Sequence, residues 1–218
     1  MNNHTMHTDG PIIIDLIRHG EVHNPQQVLY GRLPGFRLSE KGRRQARSAG
    51  RHLQDSTISA VFSSPMLRAR QTAREILSSC GNLKLRISGL LNEVCTSFEG
   101  RPGAEIDARG GDVYSGVDAC FEQPEDIVVR TRKFISRMRS QYDSGRVLAV
   151  THGDVITFTV LWAGGFDVRP QNKNRLLQAG YPVAYPDHAS ITTLIYQSGS
   201  PEEKPTVDYI NPYHVKRD

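Results

Sequence analysis

The sequence predicts an α/β fold, a three-layer α/β/α sandwich around a mostly parallel central sheet. Two observations carry this. Short apolar, β-branched runs alternate along the chain with longer segments of helical character, the pattern of strands joined by crossover helices, with both faces of the sheet covered. A chain of 218 residues, 38% of them hydrophobic, is long enough for one generous core and short for two. With no internal repeat and no linker, residues 11–218 read as one domain and residues 1–10, polar and containing His4 and His7, as a loose tail.

The elements follow in order. Residues 12–17 form a short apolar run that reads as a buried strand stopping at Arg18-His19-Gly20. Residues 24–38 hold Pro25, Gly31, Pro34 and Gly35 and read as a loop. Ser39 is suited to cap a helix over residues 40–54. A second strand over 58–62 leads into Ser63-Ser64-Pro65, and Pro65 suits the first turn of a helix running to about Ser79. A third strand is expected over 83–87. Residues 92–124, rich in Gly, Pro and acidic side chains without a clear period, read as an irregular insertion or lid. A helix over 124–142 carries Ile127, Val128, Thr131, Ile135 and Met138 on one face. A strand over 146–150 stops at Thr151-His152-Gly153, an apolar helix covers 154–163, and a short helix near Gln171 precedes strands at 191–196 and 206–210.

Composition excludes several classes. Lys and Arg number 27 against 23 Asp and Glu, a formal charge of +4. The excess suits an anionic ligand, but no long basic run exists, so no nucleic-acid partner is expected. Three cysteines without a CxxC pair argue against a disulfide framework or a cysteine zinc site and suit reduced thiols in the cytoplasm. The N-terminal stretch lacks the apolar core of a signal peptide, and no apolar run is long enough to span a membrane. Nothing in the sequence bears on oligomeric state.

In open α/β sheets, ligands bind beyond the carboxyl ends of the strands. Two expected strands end in a His-Gly pair, so His19 and His152 share one rim of the sheet if those strands are parallel neighbours. An imidazole, with a reference pKa near 6.5, is a competent nucleophile at neutral pH. Gly20 lets the chain turn and a ligand approach. Arg18 offers a planar fork that matches phosphate oxygens. Arg68, in the first turns of a helix after a strand, can reach the same rim. Glu93 can protonate a leaving alkoxide if its surroundings hold its proton near neutrality, and His152 can donate to phosphoryl oxygens as charge builds. Each residue alone has a plainer reading: a surface histidine, a solvated helix arginine, a surface glutamate, a satisfied histidine at a strand end.

Taken together, Ile17-Arg18-His19-Gly20-Glu21, Ser64-Pro65-x-x-Arg68-Ala69-x-Gln71-Thr72-Ala73, Leu91-x-Glu93 and Val150-Thr151-His152-Gly153 resemble the histidine phosphatase superfamily, which includes the cofactor-dependent phosphoglycerate mutases. Leu38-Ser39-Glu40-x-Gly42-x-x-Gln45-Ala46 resembles that family's first helix. The resemblance implies a phosphoglycerate mutase-like fold, a phosphohistidine intermediate on His19, a phosphate pocket of Arg18, Arg68 and His152, and Glu93 as proton donor and then acceptor. Substrate contacts are expected from Gly20, Asn24, Gly31, Arg32 and Gly153. Three cationic or donor groups can do the electrostatic work a metal does elsewhere, so neither a metal nor a cofactor is expected.

The chain also departs from the pattern. Val22 stands where a Ser or Thr is frequent. Asn24 falls one residue short of the family's asparagine. The loop of residues 31–37 is basic, with Arg32 and Arg37, where an acidic residue is often seen. Phe98-Glu99-Gly100 is closer to the phosphatase branch than to the Tyr-Gly and Gly-Leu-Asn segment of the mutases. The expected activity is therefore hydrolysis of a small phosphorylated metabolite. The alternatives are mutase-type phosphotransfer or a phosphate-binding module without turnover, which would have no need of a proton donor. A metal hydrolase built on His19 and His23, four residues apart, is opposed by Gly20 and Pro25, which break the helix that spacing needs.

Overall fold

The computed structural model describes residues 10–142, 144–198 and 200–214. The expected tail of residues 1–10, His4 and His7 included, thus falls outside the described residues except for Gly10.

Among the described residues, six strands form one sheet: β1 (Ile12–Arg18), β2 (Ile58–Ser63), β3 (Leu85–Ile87), β4 (Gly145–Thr151), β5 (Ile191–Tyr196) and β6 (Thr206–Ile210), in the order β3-β2-β4-β1-β5-β6. The first four are mutually parallel, and β5 and β6 add antiparallel to the β1 edge. The central strands are buried on both faces, as parallel strands between helical layers must be: Ile14, Leu16 and Ile17 of β1 and Val147 through Val150 of β4 are fully covered.

Helices α1 (Glu40–Leu53) and α2 (Leu67–Leu77) cover one face. Their contact uses small residues. Ala49, Gly50, Ala69 and Ala73 are buried between them, and a Cβ on Gly50 would press on the Ile76 backbone. Ser39 accepts from the Gly42 N–H at 3.0 Å, the expected cap. Helices α4 (Pro124–Gln141) and α5 (Gly153–Ala163) cover the other face. The expected face of α4 is buried, with Phe134 added to it, and each large apolar side chain there contributes about 1.5–3 kcal/mol by leaving water.

Three local readings differ. α2 begins at Leu67, with Met66 as its N-cap, so Pro65 lies before the helix instead of in its first turn. The stretch 92–124 is not wholly irregular: a short helix, α3 (Gly103–Ala108), sits within it. The helix expected near Gln171 is a pair of 3-10 turns, Pro170–Arg175 and Leu177–Ala179. None of the described helices is long and apolar enough to cross a membrane.

Candidate active site

β1 and β4 are parallel neighbours in the register Arg18 with Thr151, so the residues that follow, His19 and His152, leave the sheet side by side. The His19 N–H continues the ladder to the Thr151 carbonyl at 3.0 Å, and the two imidazole centroids are 5.3 Å apart. β2 brings in the third segment. The Ser64 N–H donates to the Val150 carbonyl, the Ser64 hydroxyl lies 2.7 Å from His152 Nε2, and one helical turn later Arg68 reaches under the same rim.

The orientation of His19 is set by its own backbone. Nδ1 lies 2.8 Å from the Gly20 carbonyl oxygen, which can only accept, so Nδ1 carries the proton and Nε2 keeps its lone pair. Burial, and then the charges of Arg68, His152, Arg18 and His188, lower the His19 pKa well below its ordinary value. The ring is therefore neutral at physiological pH and available as a nucleophile.

Around it stand two buried or part-buried guanidinium groups. Arg18 donates through Nη1 to the Pro186 carbonyl at 2.6 Å and lies over the Tyr185 ring. Arg68 is 1% exposed. Its Nη2 serves the Gly31 carbonyl at 2.7 Å, Glu93 Oε2 at 3.2 Å and His152 Nδ1 at 3.3 Å. The Nε of each arginine is buried without a hydrogen-bond partner, and an unmet buried donor beside fixed positive charge favours an anion. The N-terminus of α5, which begins at Gly153, adds its dipole to the same rim.

Glu93 follows a 3-10 turn, Gly89–Leu91, that Thr151 fastens by donating to the Leu91 carbonyl at 2.8 Å. Arg32 and Arg130 both donate to the Glu93 carbonyl and both pair with Glu122, which also accepts from the Cys95 N–H. This Arg32–Glu122–Arg130 clamp holds the glutamate's backbone. The expected condition on its carboxyl is not met in the free protein. Burial raises its pKa, but His152, Arg68 and the Val94 N–H outweigh burial and hold it well below the usual carboxylate range. His152 itself is lowered to about 4, by burial first, although Glu93 opposes the shift.

His19, Glu93 and His152 offer ligand atoms within 4.8 Å of one another, the spacing a metal ion would use. Arg68 Nη2, however, already stands against both Glu93 and His152. A fixed guanidinium in that position repels a cation, so the set does not fit a metal. His23, the other half of the metal reading, keeps its backbone paired with Arg37 on the far side of the turn.

A cavity of about 780 Å³ opens over this rim, with Arg18, His19, Tyr30 and Glu93 in its wall; Arg68 and His152 are fully buried behind Glu93 and do not line it. Of the expected substrate contacts, Asn24, Gly31 and Gly153 line it, and Gly20 and Arg32 do not. Gly20 is required for another reason: a Cβ there would strike the Gly42 carbonyl, so the glycine serves the close approach of α1 and not that of a ligand. Arg32 is spent on Glu93 and Glu122. Asn24 turns inward and bridges to both the N–H and the carbonyl of Val28, bracing its own loop. Gly31 presents its carbonyl to Arg68.

Residues 185–190, for which the sequence offers no functional expectation, wrap the Arg18-His19-Gly20 turn. Besides the Pro186 contact, the Ala189 N–H donates to the Arg18 carbonyl and the Ser190 carbonyl accepts from the Arg18 N–H. His188 brings a third imidazole, 5.7 Å from His19 between centroids, with its pKa lowered to about 3 by burial and by Arg18. No periodicity marks this strap. Only the Asp187-His188 pair before a β-branched run hints at it.

With this geometry in view, the comparisons with known proteins are direct. Residues 14–204 match the histidine phosphatase superfamily (branch 1). The chain belongs to that superfamily. An uncharacterized protein of Mycobacterium tuberculosis (strain H37Rv) is 46% identical over 146 residues, which is 64% of this chain and 72% of the relative. The uncharacterized phosphatase PhoE of Bacillus subtilis (strain 168) is 29% identical over 167 residues, 75% of this chain and 83% of the relative. Among solved structures, a mycobacterial glucosyl-3-phosphoglycerate phosphatase superposes with a TM-score of 0.74 at 22% identity, covering 92% of this chain and 99% of its own. That likeness, shared with a phosphoglycerate mutase of Bacillus anthracis at a TM-score of 0.72 and 22% identity, covering 95% of this chain and 96% of its own, places the chain in the phosphoglycerate mutase-like fold.

Proposed function

We propose that this histidine phosphatase hydrolyses phosphate monoesters of small molecules through a phosphohistidine on His19. The observation that carries the reading is the committed tautomer of a buried, neutral His19, whose free Nε2 stands among two arginines with unmet donors. In the first step Nε2 attacks phosphorus, the N–P bond forms, and the ester P–O bond breaks. Arg18, Arg68 and His152 offset the charge on the phosphoryl oxygens. Glu93 gives its proton to the departing alkoxide oxygen. In the second step water attacks phosphorus, Glu93 takes up the water proton, and orthophosphate leaves with His19 restored.

Glu93 is ionised in the free protein, so its acid role depends on the substrate. A phosphoryl dianion draws on the hydrogen bonds of Arg68 and sets negative charge beside the carboxyl. Both raise its pKa, and the proton arrives with the bound monoester. Hydrolysis is favoured over mutase transfer because Phe98-Glu99-Gly100 follows the proton donor and phosphatases outnumber mutases among the relatives with an activity in their names, which also include a phosphoglycerate mutase-like protein and a phosphoglycerate mutase.

The test is phosphate release from p-nitrophenyl phosphate after prolonged chelation with no divalent ion added. Arg18 and Arg68 supply the charge and His152 a neutral hydrogen-bonding group, so activity should survive and vanadate should inhibit. Activity lost on chelation and restored by a metal would overturn the assignment.

A further inference from the structure

The cavity beyond the phosphoryl end carries a charge pattern that selects among phosphate esters, and the reading that follows rests on the proposed hydrolysis. Two cationic side chains stand in the cavity wall among the described residues, Arg18 and Lys173. Arg18 belongs to the phosphoryl end. Lys173 is already engaged: its ammonium donates to the Gly111 carbonyl at 2.8 Å and to the Asp154 carboxylate at 2.9 Å. Asp154 is 5% exposed and also accepts from the Tyr114 and Tyr185 hydroxyls. Three donors thus saturate the carboxylate, and the lysine clasps the 3-10 turn Pro170–Arg175 to the chain just after α3. A second acidic side chain, Asp107 at the exposed lip on α3, also faces the cavity. Away from the phosphoryl end the wall therefore holds one committed cation against two carboxylates. The rest of that wall carries no charged side chain and mixes apolar residues, Leu29, Val94, Ile106 and Val113, with neutral polar ones such as Gln27, Thr96 and Asn174.

A second phosphate or a carboxylate on the substrate would enter this region without a free cation and beside a carboxylate, losing its water without recompense. We infer that the substrate is the monophosphate ester of an uncharged, partly apolar alcohol, and that bisphosphates and phosphorylated carboxylic acids are disfavoured. The volume admits a leaving group well beyond a simple triose, and the mixed neutral wall suits one with both hydroxyl groups and hydrocarbon surface.

Three esters matched in size test this: 4-(hydroxymethyl)benzyl phosphate, 4-carboxybenzyl phosphate and the bisphosphate of 1,4-benzenedimethanol. The neutral ester should have a kcat/KM at least tenfold above either anionic one, after a factor of two is allowed for the bisphosphate's two equivalent ends. Asp107→Lys, at an exposed position that the fold tolerates, should narrow that gap at least threefold, and added salt should narrow it further. Equal or faster turnover of the anionic esters by the natural chain would overturn the substrate class and leave the phosphatase reading intact. Phosphate release from none of the three would overturn both. A gap that Asp107→Lys leaves unchanged would remove the acidic lip from the argument and overturn the charge-selection account.

Discussion

Among the described residues three histidines meet at one rim, His19 and His152 buried and His188 part-buried, and each has its pKa lowered, by loss of water first. Unfolding returns each to about 6.5, so below that pH the unfolded chain binds protons that the folded one does not, and stability falls as pH falls. For His152 at about 4 and His188 at about 3 when folded, linkage gives roughly 2 kcal/mol each lost between pH 7.5 and 5, about 4 kcal/mol together, and His19 acts in the same direction. That is a large part of the 5–15 kcal/mol typical of a folded domain. Glu93 acts in the same sense at lower pH. Its depressed pKa contributes stability above about 4.5 that is lost as pH falls further. Asp15 opposes it, because burial raises its carboxyl against the pull of Arg146. The assay is urea unfolding at half-unit pH steps from 7.5 to 5. The midpoint should fall steeply. His188→Gln, which removes one of the three titrations and makes no other change to the rim's charge at neutral pH, should recover roughly 2 kcal/mol of the loss. An unfolding free energy constant within about 1 kcal/mol over this range would refute the burial argument, as would a His188→Gln variant with the natural chain's slope.

Two further outcomes follow from single contacts. Glu93→Gln should slow phosphoenzyme formation from an alkyl phosphate by about a hundredfold or more, but far less from p-nitrophenyl phosphate, whose leaving group needs no proton. Single-turnover kinetics resolve that step, and equal losses on both substrates would make Glu93 a positioning residue, with Glu21 and Glu99 the next candidates for the donor. Gly42→Ala would drive a Cβ into the Glu21 backbone just after the His19-Gly20 turn. Overpacking of this kind costs about 1–3 kcal/mol, so a thermal melt should drop by roughly 3–10 °C. An unchanged Tm would mean that α1 moves freely against the turn.

The fold and the centre of the site were legible in the sequence for a specific reason. Strands buried on both faces must be apolar runs, and a rim that does chemistry must interrupt them abruptly. Arg18-His19-Gly20 and Thr151-His152-Gly153 therefore announce both a strand end and its neighbour. Arg68 was legible because it lies one turn beyond the next strand. The misplaced residues all depend on contacts between distant segments, which spacing does not encode. Arg32 reads as a basic loop residue until Glu122, ninety positions later, is found against it. Gly20 reads as a ligand approach until α1 arrives on top of it. His188 has no pattern of its own and gains meaning only from the strap around Arg18. The state of the Glu93 carboxyl stayed conditional in the sequence because it depends on burial opposed by His152, Arg68 and the Val94 N–H, a balance that sequence distance does not reveal.

The central claim is that the phosphoryl group passes to His19. It is tested most directly by quenching the enzyme during turnover of a 32P-labelled monoester and mapping the label. The account predicts a phosphoenzyme stable in base and labile in acid, as a phosphoramidate must be, with the label on the peptide that holds His19 and none in His19→Ala, whose turnover falls by orders of magnitude. A label that survives acid, maps to another residue, or persists in His19→Ala would contradict it.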